Sequence, residues 1–210
     1  MNRSVQIREK AAEEQPRYTG VLVAARPWRR VALLIVACCF LMNARPLRGE
    51  PNDDTSYPVK LGFLYQLTLY VQWPSGSFKS ATAPLVVCVI GHDPFDSDLE
   101  EEFENHMVDK HPVVIRRAKG IDNLGSCHVV FVPAPESKQS AKVIASLQGS
   151  PVLTVGETPG FAERGGLINF TVIQNRLHFE INLDAVRQTS LTISSRVLAL
   201  AKIVRDPSQP

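Results

Sequence analysis

Apolar residues between Val59 and Trp73 recur at spacings of three, four and seven, through Val59, Phe63, Leu64, Leu67, Tyr70 and Val71, which is the period of an amphipathic helix. Pro58 suits its first turn, where a missing N–H costs nothing, and Pro74 ends it. Four short runs rich in β-branched residues follow, at 85–90, 113–115, 129–132 and 151–155, nearly continuous in hydrophobicity as strands buried on both faces are. Helical spacing fills the intervals 95–107, 119–125 and 136–148, the last through Ala141, Ile144, Ala145 and Leu147. Strand and helix in alternation predict an α/β fold: a single three-layer α/β/α Rossmann-like domain whose sheet is mostly parallel. Past Arg164-Gly165-Gly166, read as a structural turn with one glycine at positive φ, the pattern changes to strict alternation. Residues 167–172 and 177–181 alternate across Gln174-Asn175-Arg176, predicting a C-terminal antiparallel hairpin at the sheet edge. Ser194 or Thr192 then caps a closing helix over 195–204, with Val197, Leu198, Ala201 and Val204 along one face.

The beginning of the chain reads differently. Arg26, Arg29 and Arg30 precede an apolar run from Val31 to Met42, and the chain turns polar at Asn43-Ala44-Arg45-Pro46. This is the pattern of a secretory signal cleaved near Ala44. Twelve helical residues reach about 18 Å, short of the roughly 30 Å hydrocarbon core, so a membrane span fits less well. An uncleaved inner-membrane anchor and a lipoprotein acylated at Cys38, within Ile35-Val36-Ala37-Cys38, are the competing readings. The organisation expected is therefore an exported protein with a leader at 1–44, a flexible lead-in at 45–56, one α/β domain at 57–204 and a tail at 205–210.

Charge sharpens the picture. The 210-residue chain carries a formal +2, but the leader holds seven bases against three acids, leaving sixteen bases and eighteen acids in the body. A slightly acidic body without a basic stripe is not a nucleic-acid binder, since phosphate recognition needs clustered cations to release counterions. With 44% hydrophobic and 21% charged residues the chain is an ordinary globular protein, not a disordered one.

Removing the leader leaves Cys88 and Cys127. Each lies in or beside a strand, and an oxidising compartment favours a disulfide between them. Two separate buried thiols, behaving as small hydrophobes, are the other reading. No Gly-x-Gly-x-x-Gly or phosphate-loop motif occurs, no Gly-x-Ser-x-Gly presents a nucleophile, and the five histidines show no metal-ligand spacing. The run Glu100-Glu101-Glu102-Glu104 reads as the solvated face of a helix. An enzyme is not expected, nor a cofactor or a metal. What stands out is aromatic density in the first helix, where Phe63, Tyr65, Tyr70 and Trp73 exceed what one buried stripe hides. Helical geometry turns Tyr65 away from the core stripe and leaves Trp73 at the edge beside the proline, which makes both candidate partner-binding residues, with the hairpin around Glu180 as the other candidate interface.

Six blocks in order carry a resemblance. Val59-Lys-Leu-Gly-Phe-Leu-Tyr-Gln-Leu-Thr-Leu-Tyr-Val-Gln-Trp-Pro74, Leu85-Val-Val-Cys-Val-Ile-Gly91, Pro151-Val-Leu-Thr-Val-Gly156, Phe161-Ala-Glu-Arg-Gly-Gly-Leu-Ile-Asn-Phe170, Phe179-Glu-Ile-Asn-Leu183 and Ser194-Ser-Arg-Val-Leu-Ala-Leu-Ala201 together resemble the YfiR/HmsC family of bacterial periplasmic proteins. The resemblance implies a domain without catalytic activity that represses an inner-membrane diguanylate cyclase by binding its periplasmic sensing domain, lowering cyclic di-GMP and biofilm matrix. Redox-sensitive disulfides in that family make the Cys88–Cys127 pairing plausible here, although this chain has only the one pair. Relatives beside other membrane sensors make a sensor kinase an equivalent partner, and a homodimer is also compatible. The reading from another class is a periplasmic receptor for a small molecule or cell-wall fragment, seated at the carboxyl ends of the strands near Gly91 and Gly156.

Overall fold

A computed structural model describes residues 56–104 and 106–205. The expected leader, nearly all of the lead-in, the tail after Arg205 and the lipidation candidate Cys38 lie outside the described residues. Helix α1 spans Tyr57–Tyr70 and runs straight into the two-residue strand β1, Val71–Gln72. The helix thus stops four residues before Pro74. Val71 and Gln72 adopt extended backbone because they pair antiparallel with β9, Thr192–Ile193.

An α/β fold is what the strand and helix patterns predict, and an α/β fold is found. The main sheet has eight strands: β2 (Leu85–Ile90), β3 (Met107–Val108), β4 (His111–Ala118), β5 (Val129–Val132), β6 (Leu153–Gly156), β7 (Ile168–Ile173), β8 (Arg176–Asn182) and β10 (Lys202–Val204). Their spatial order is β10-β8-β7-β6-β5-β2-β4-β3. The ladders from β4 through β2, β5 and β6 to β7 are parallel, whereas β7–β8 and β3–β4 are antiparallel.

Period-two alternation divides the core between the two faces of this sheet. Val87, Val89, Val129, Phe131, Leu153, Val155, Ile168 and Phe170 gather with Leu61, Leu64 and Leu67 of α1. The intervening residues Cys88, Ile90, Val130 and Val132 gather with Val143 and Leu147 of α3, Ser140–Leu147, and with Phe161. Near-continuous apolar runs are required because both faces are covered.

Three expectations are corrected. The β7–β8 hairpin is present, with Gln174 and Asn175 at positive φ in its turn, but it is not the sheet edge. Lys202–Val204 pairs parallel with Glu180–Asn182 on the outer side of β8. The closing helix is correspondingly a single turn, Ser195–Leu198, capped by the Ser194 side chain accepting from the Arg196 N–H. Residues that share a helical face in sequence instead satisfy their backbone on an open strand edge. The helical intervals shrink as well: 95–107 yields only Asp98–Phe103 (α2), because the chain turns to pair β3 with β4, and 119–125 yields no α-helix but a 3-10 turn at Leu124–Ser126.

Candidate functional site

Fourteen residues make α1, and Lys60 is the one charged residue among them. It points inward: Lys60 is 8% exposed, and its Nζ lies 2.7 Å from Glu157 Oε2. The solvent side carries Gln66 together with Val59 and Leu69, exposed by 51% and 42%. A helix normally turns a charged face to water, so α1 is less amphipathic than its spacing implies. Gly62, on the same side, would meet nothing within 4 Å if it carried a Cβ.

The two aromatic candidates sit otherwise than a helical wheel suggests. Tyr65 is half-buried, edge-on to Phe103 at 5.4 Å and against the His106 ring at 4.8 Å. The wheel turns it from the sheet, but α2 packs on that side. Trp73 is also half-buried, and its indole Nε1 donates to the His128 carbonyl at 3.3 Å. Glu180 is 7% exposed and engaged within the fold, accepting from Lys202 Nζ at 2.8 Å and Asn169 Nδ2 at 3.3 Å. The structure brings these three residues into no common patch: Tyr65 lies under α2, Trp73 at the amino ends of the strands and Glu180 between β7 and β10.

The carboxyl ends of the parallel strands, where an α/β sheet opens a crevice, are filled by the protein's own groups. Gly91 has φ +65°, and a Cβ there would lie 2.7 Å from Cγ of Glu136, whose side chain covers it. Gly156 is packed by the Phe161 ring, with a virtual Cβ 2.6 Å from Cδ2. Glu157, just past β6, has 2% of its side chain exposed. It accepts from the Tyr57 hydroxyl at 2.9 Å and the Ala134 N–H at 2.7 Å as well as from Lys60. An internal carboxylate therefore occupies the backbone N–H at the start of the 134–139 turn, the position an anionic ligand would take.

A second ion cluster closes the end of β2. Asp93 Oδ1 accepts from the Phe95 N–H at 2.9 Å, and Oδ2 lies 2.8 Å from Arg117, which also grips Glu100. Burial pushes the Asp93 carboxyl above the ordinary range, against the Phe95 N–H and Arg117, while the Arg117 hydrogen bond holds Glu100 below it.

Cys88 and Cys127 are joined by a disulfide, with Cα atoms 6.0 Å apart, tying β2 to the residue two before β5. Arg116 is the register neighbour of Cys88 on β4; its guanidinium donates to Cys127 Sγ at 2.7 Å and to the Asn123 carbonyl at 2.8 Å. In the Arg164-Gly165-Gly166 turn, Gly165 has φ +102°, and a Cβ on Gly166 would be driven into the Phe161 ring. The groups that sequence reading overlooked are Lys60, Glu157, Asp93 and His128. Only Lys60 left a trace, as a lone charge inside an apolar helix; the others depend on contacts far along the chain. Among the described residues no three His, Cys, Asp or Glu side chains gather as a metal site, and no helix is long and apolar enough to cross a membrane.

A family model described as YfiR/HmsC-like matches residues 57–202, from the start of α1 to the first residue of β10. Among solved structures, a conserved domain protein from Vibrio cholerae O1 biovar El Tor is similar at 13% identity and TM-score 0.45, covering 57% of this chain and 54% of that one. An ABC domain from Streptococcus pneumonia, solved in complex with L-Trp, is similar at 14% identity and TM-score 0.43, covering 57% and 55%. The chain thus spans about half the length of the solved proteins it matches.

Proposed function

The chain belongs to the YfiR/HmsC-like family, and on that premise we propose that it is a non-enzymatic periplasmic regulator of cyclic di-GMP signalling and so of biofilm formation. It acts by binding the periplasmic domain of an inner-membrane signalling protein, a diguanylate cyclase or a sensor kinase, and holding it in one state through differential affinity. The observation that carries the binding half of this reading is α1: a long helix whose solvent side offers Val59, Gln66 and Leu69, while its one charge is spent inside the fold. Interfaces exclude charge from their centres, which is what that side provides. The ligand-carrier reading loses its support, because Glu136, Phe161 and Glu157 occupy the crevice near Gly91 and Gly156.

The test pairs cells with purified protein. Deleting the gene should raise cellular cyclic di-GMP, and the purified chain should capture the periplasmic domain of a membrane cyclase or sensor kinase from the same cell. Val59→Glu with Leu69→Glu should weaken that capture at least tenfold, about 1.4 kcal/mol, while leaving the melting temperature almost unchanged because both side chains face solvent. Unchanged cyclic di-GMP in the deletion strain would overturn the regulatory reading. Undiminished capture by the double variant would overturn the assignment of α1.

A further inference from the structure

Residues 73–84 leave β1, cross the amino-terminal ends of the parallel strands and enter β2 at Leu85. Strand order dictates what they meet there. β2 lies between β5 and β4, His128 immediately precedes β5, and His111 opens β4. The two imidazoles therefore stand on either side of β2, on strands about two interstrand spacings, or roughly 9.5 Å, apart. One aromatic ring fits that gap, and Phe78 fills it: its centroid is 3.6 Å from His111 at 7° and 4.4 Å from His128 at 15°.

Hydrogen bonds assign the protons. His128 Nδ1 accepts from the Val86 N–H at 3.0 Å, while Nε2 lies 3.1 Å from the Ser77 carbonyl and must donate to it. The ring is thus neutral, with its proton on Nε2. Val86 also accepts the backbone N–H of His128 at 2.8 Å, which fixes the ring's base to β2. On the other side of Phe78, His111 Nδ1 donates to the Ala83 carbonyl at 2.6 Å. Segment 75–83 is attached to the sheet through both histidines.

We propose that the His111–Phe78–His128 stack is an acid-released clasp, which frees residues 75–83 from the strand ends when His128 gains a proton. The new proton can go only to Nδ1, where it would face the Val86 N–H donor to donor at 3.0 Å. The ring must turn away, and its bond to Ser77 and its stack on Phe78 go with it. Of the groups packed around His128, β2 contributes backbone, the 75–77 turn a carbonyl, and Trp73 a ring edge at 6.4 Å; His111 is the titratable one. A charged His111 adds like-charge repulsion across Phe78. Burial, reinforced by His111 and opposed by the Ser77 bond, holds the His128 imidazole below its ordinary range. Because the folded-state value lies below the unfolded one, the stability His128 confers is complete above the unfolded value of about 6.5 and is lost as pH falls from there toward the folded value.

Hydrogen exchange on the full chain at pH 7.5 and 5.5, corrected for intrinsic rates, tests this without any partner, so its outcome is independent of the regulatory reading. Protection of 75–83 should fall at least tenfold at pH 5.5 while 85–90 is unaffected. His128→Asn keeps an acceptor for the Val86 N–H and cannot titrate, so it should show equal protection at both values. Equal protection in the wild type, or an equal loss in His128→Asn, overturns the clasp. Should His128→Asn not fold, imidazole nitrogen NMR of the wild type decides: loss of protection must follow the His128 Nδ1 signal, and following any other group overturns the proposal.

Discussion

Gly166→Ala should be among the most damaging small substitutions in this domain, and the reason can be separated from backbone strain. Gly166 has no positive φ; what it lacks is room. A Cβ there would stand 2.9 Å from Cζ of Phe161 and nearer still to Cδ1 and Cε1. Ordinary carbon contacts are about 3.5–4.0 Å. The ring would have to recede, but Phe161 is fully buried and Gly156 presses on it, with a virtual Cβ 2.7 Å from Cδ1. Overpacking of a fixed core ring costs about 1–3 kcal/mol, and this geometry belongs at the upper end. Thermal melts should register it as a fall of about 6–12 °C, at about 2–4 °C per kcal/mol for a domain of this size. Phe161→Leu alone loses packing worth about 1–2 kcal/mol, yet it opens the space that the new methyl needs. In the double variant the two losses should fall short of additive by at least about 1 kcal/mol. Gly165→Ala is the control: its cost of about 1–3 kcal/mol comes from φ +102° and a close approach to Ile144 Cγ2 at 3.2 Å, not from the Phe161 ring, so Phe161→Leu should not relieve it. Additive losses for Gly166→Ala with Phe161→Leu, or a melting temperature unchanged by Gly166→Ala alone, would refute the steric account.

Two further outcomes follow from other parts of the fold. Thiol titration of denatured, unreduced protein should find Cys88 and Cys127 unreactive, and replacing both by Ala should lower stability by about 3–4 kcal/mol, as expected for a 39-residue separation; the check is chemical denaturation against the oxidised wild type. Lys60→Met should cost about 3–5 kcal/mol, because it leaves Glu157 buried without its cation, and adding Glu157→Gln should restore part of that; a double variant no more stable than Lys60→Met would show that the pair is not coupled.

The amino-acid sequence by itself determined the α/β alternation, the strands 85–90 and 129–132, and the hairpin around Gln174-Asn175. Those are local properties: buried parallel strands must be apolar throughout, and a tight turn needs residues that tolerate positive φ. For Cys88 and Cys127 two readings stood open, a disulfide or separate buried thiols, with the expected export and the family resemblance favouring the first, and the structure joins them. The cyclic di-GMP reading came from resemblance in block order and from no single residue. What only the tertiary structure decided is where side chains meet. Tyr65 falls on the outer side of a helical wheel, yet α2 packs over it. Glu180 alternates outward along its strand, and the final strand then covers it through Lys202. Lys60 breaks an apolar helix for no local reason, and its reason is Glu157, ninety-seven residues away. The clasp depends on β5, β2 and β4 standing side by side, an order that periodicity does not carry, because periodicity reports which face of an element is buried and says nothing of what lies against it.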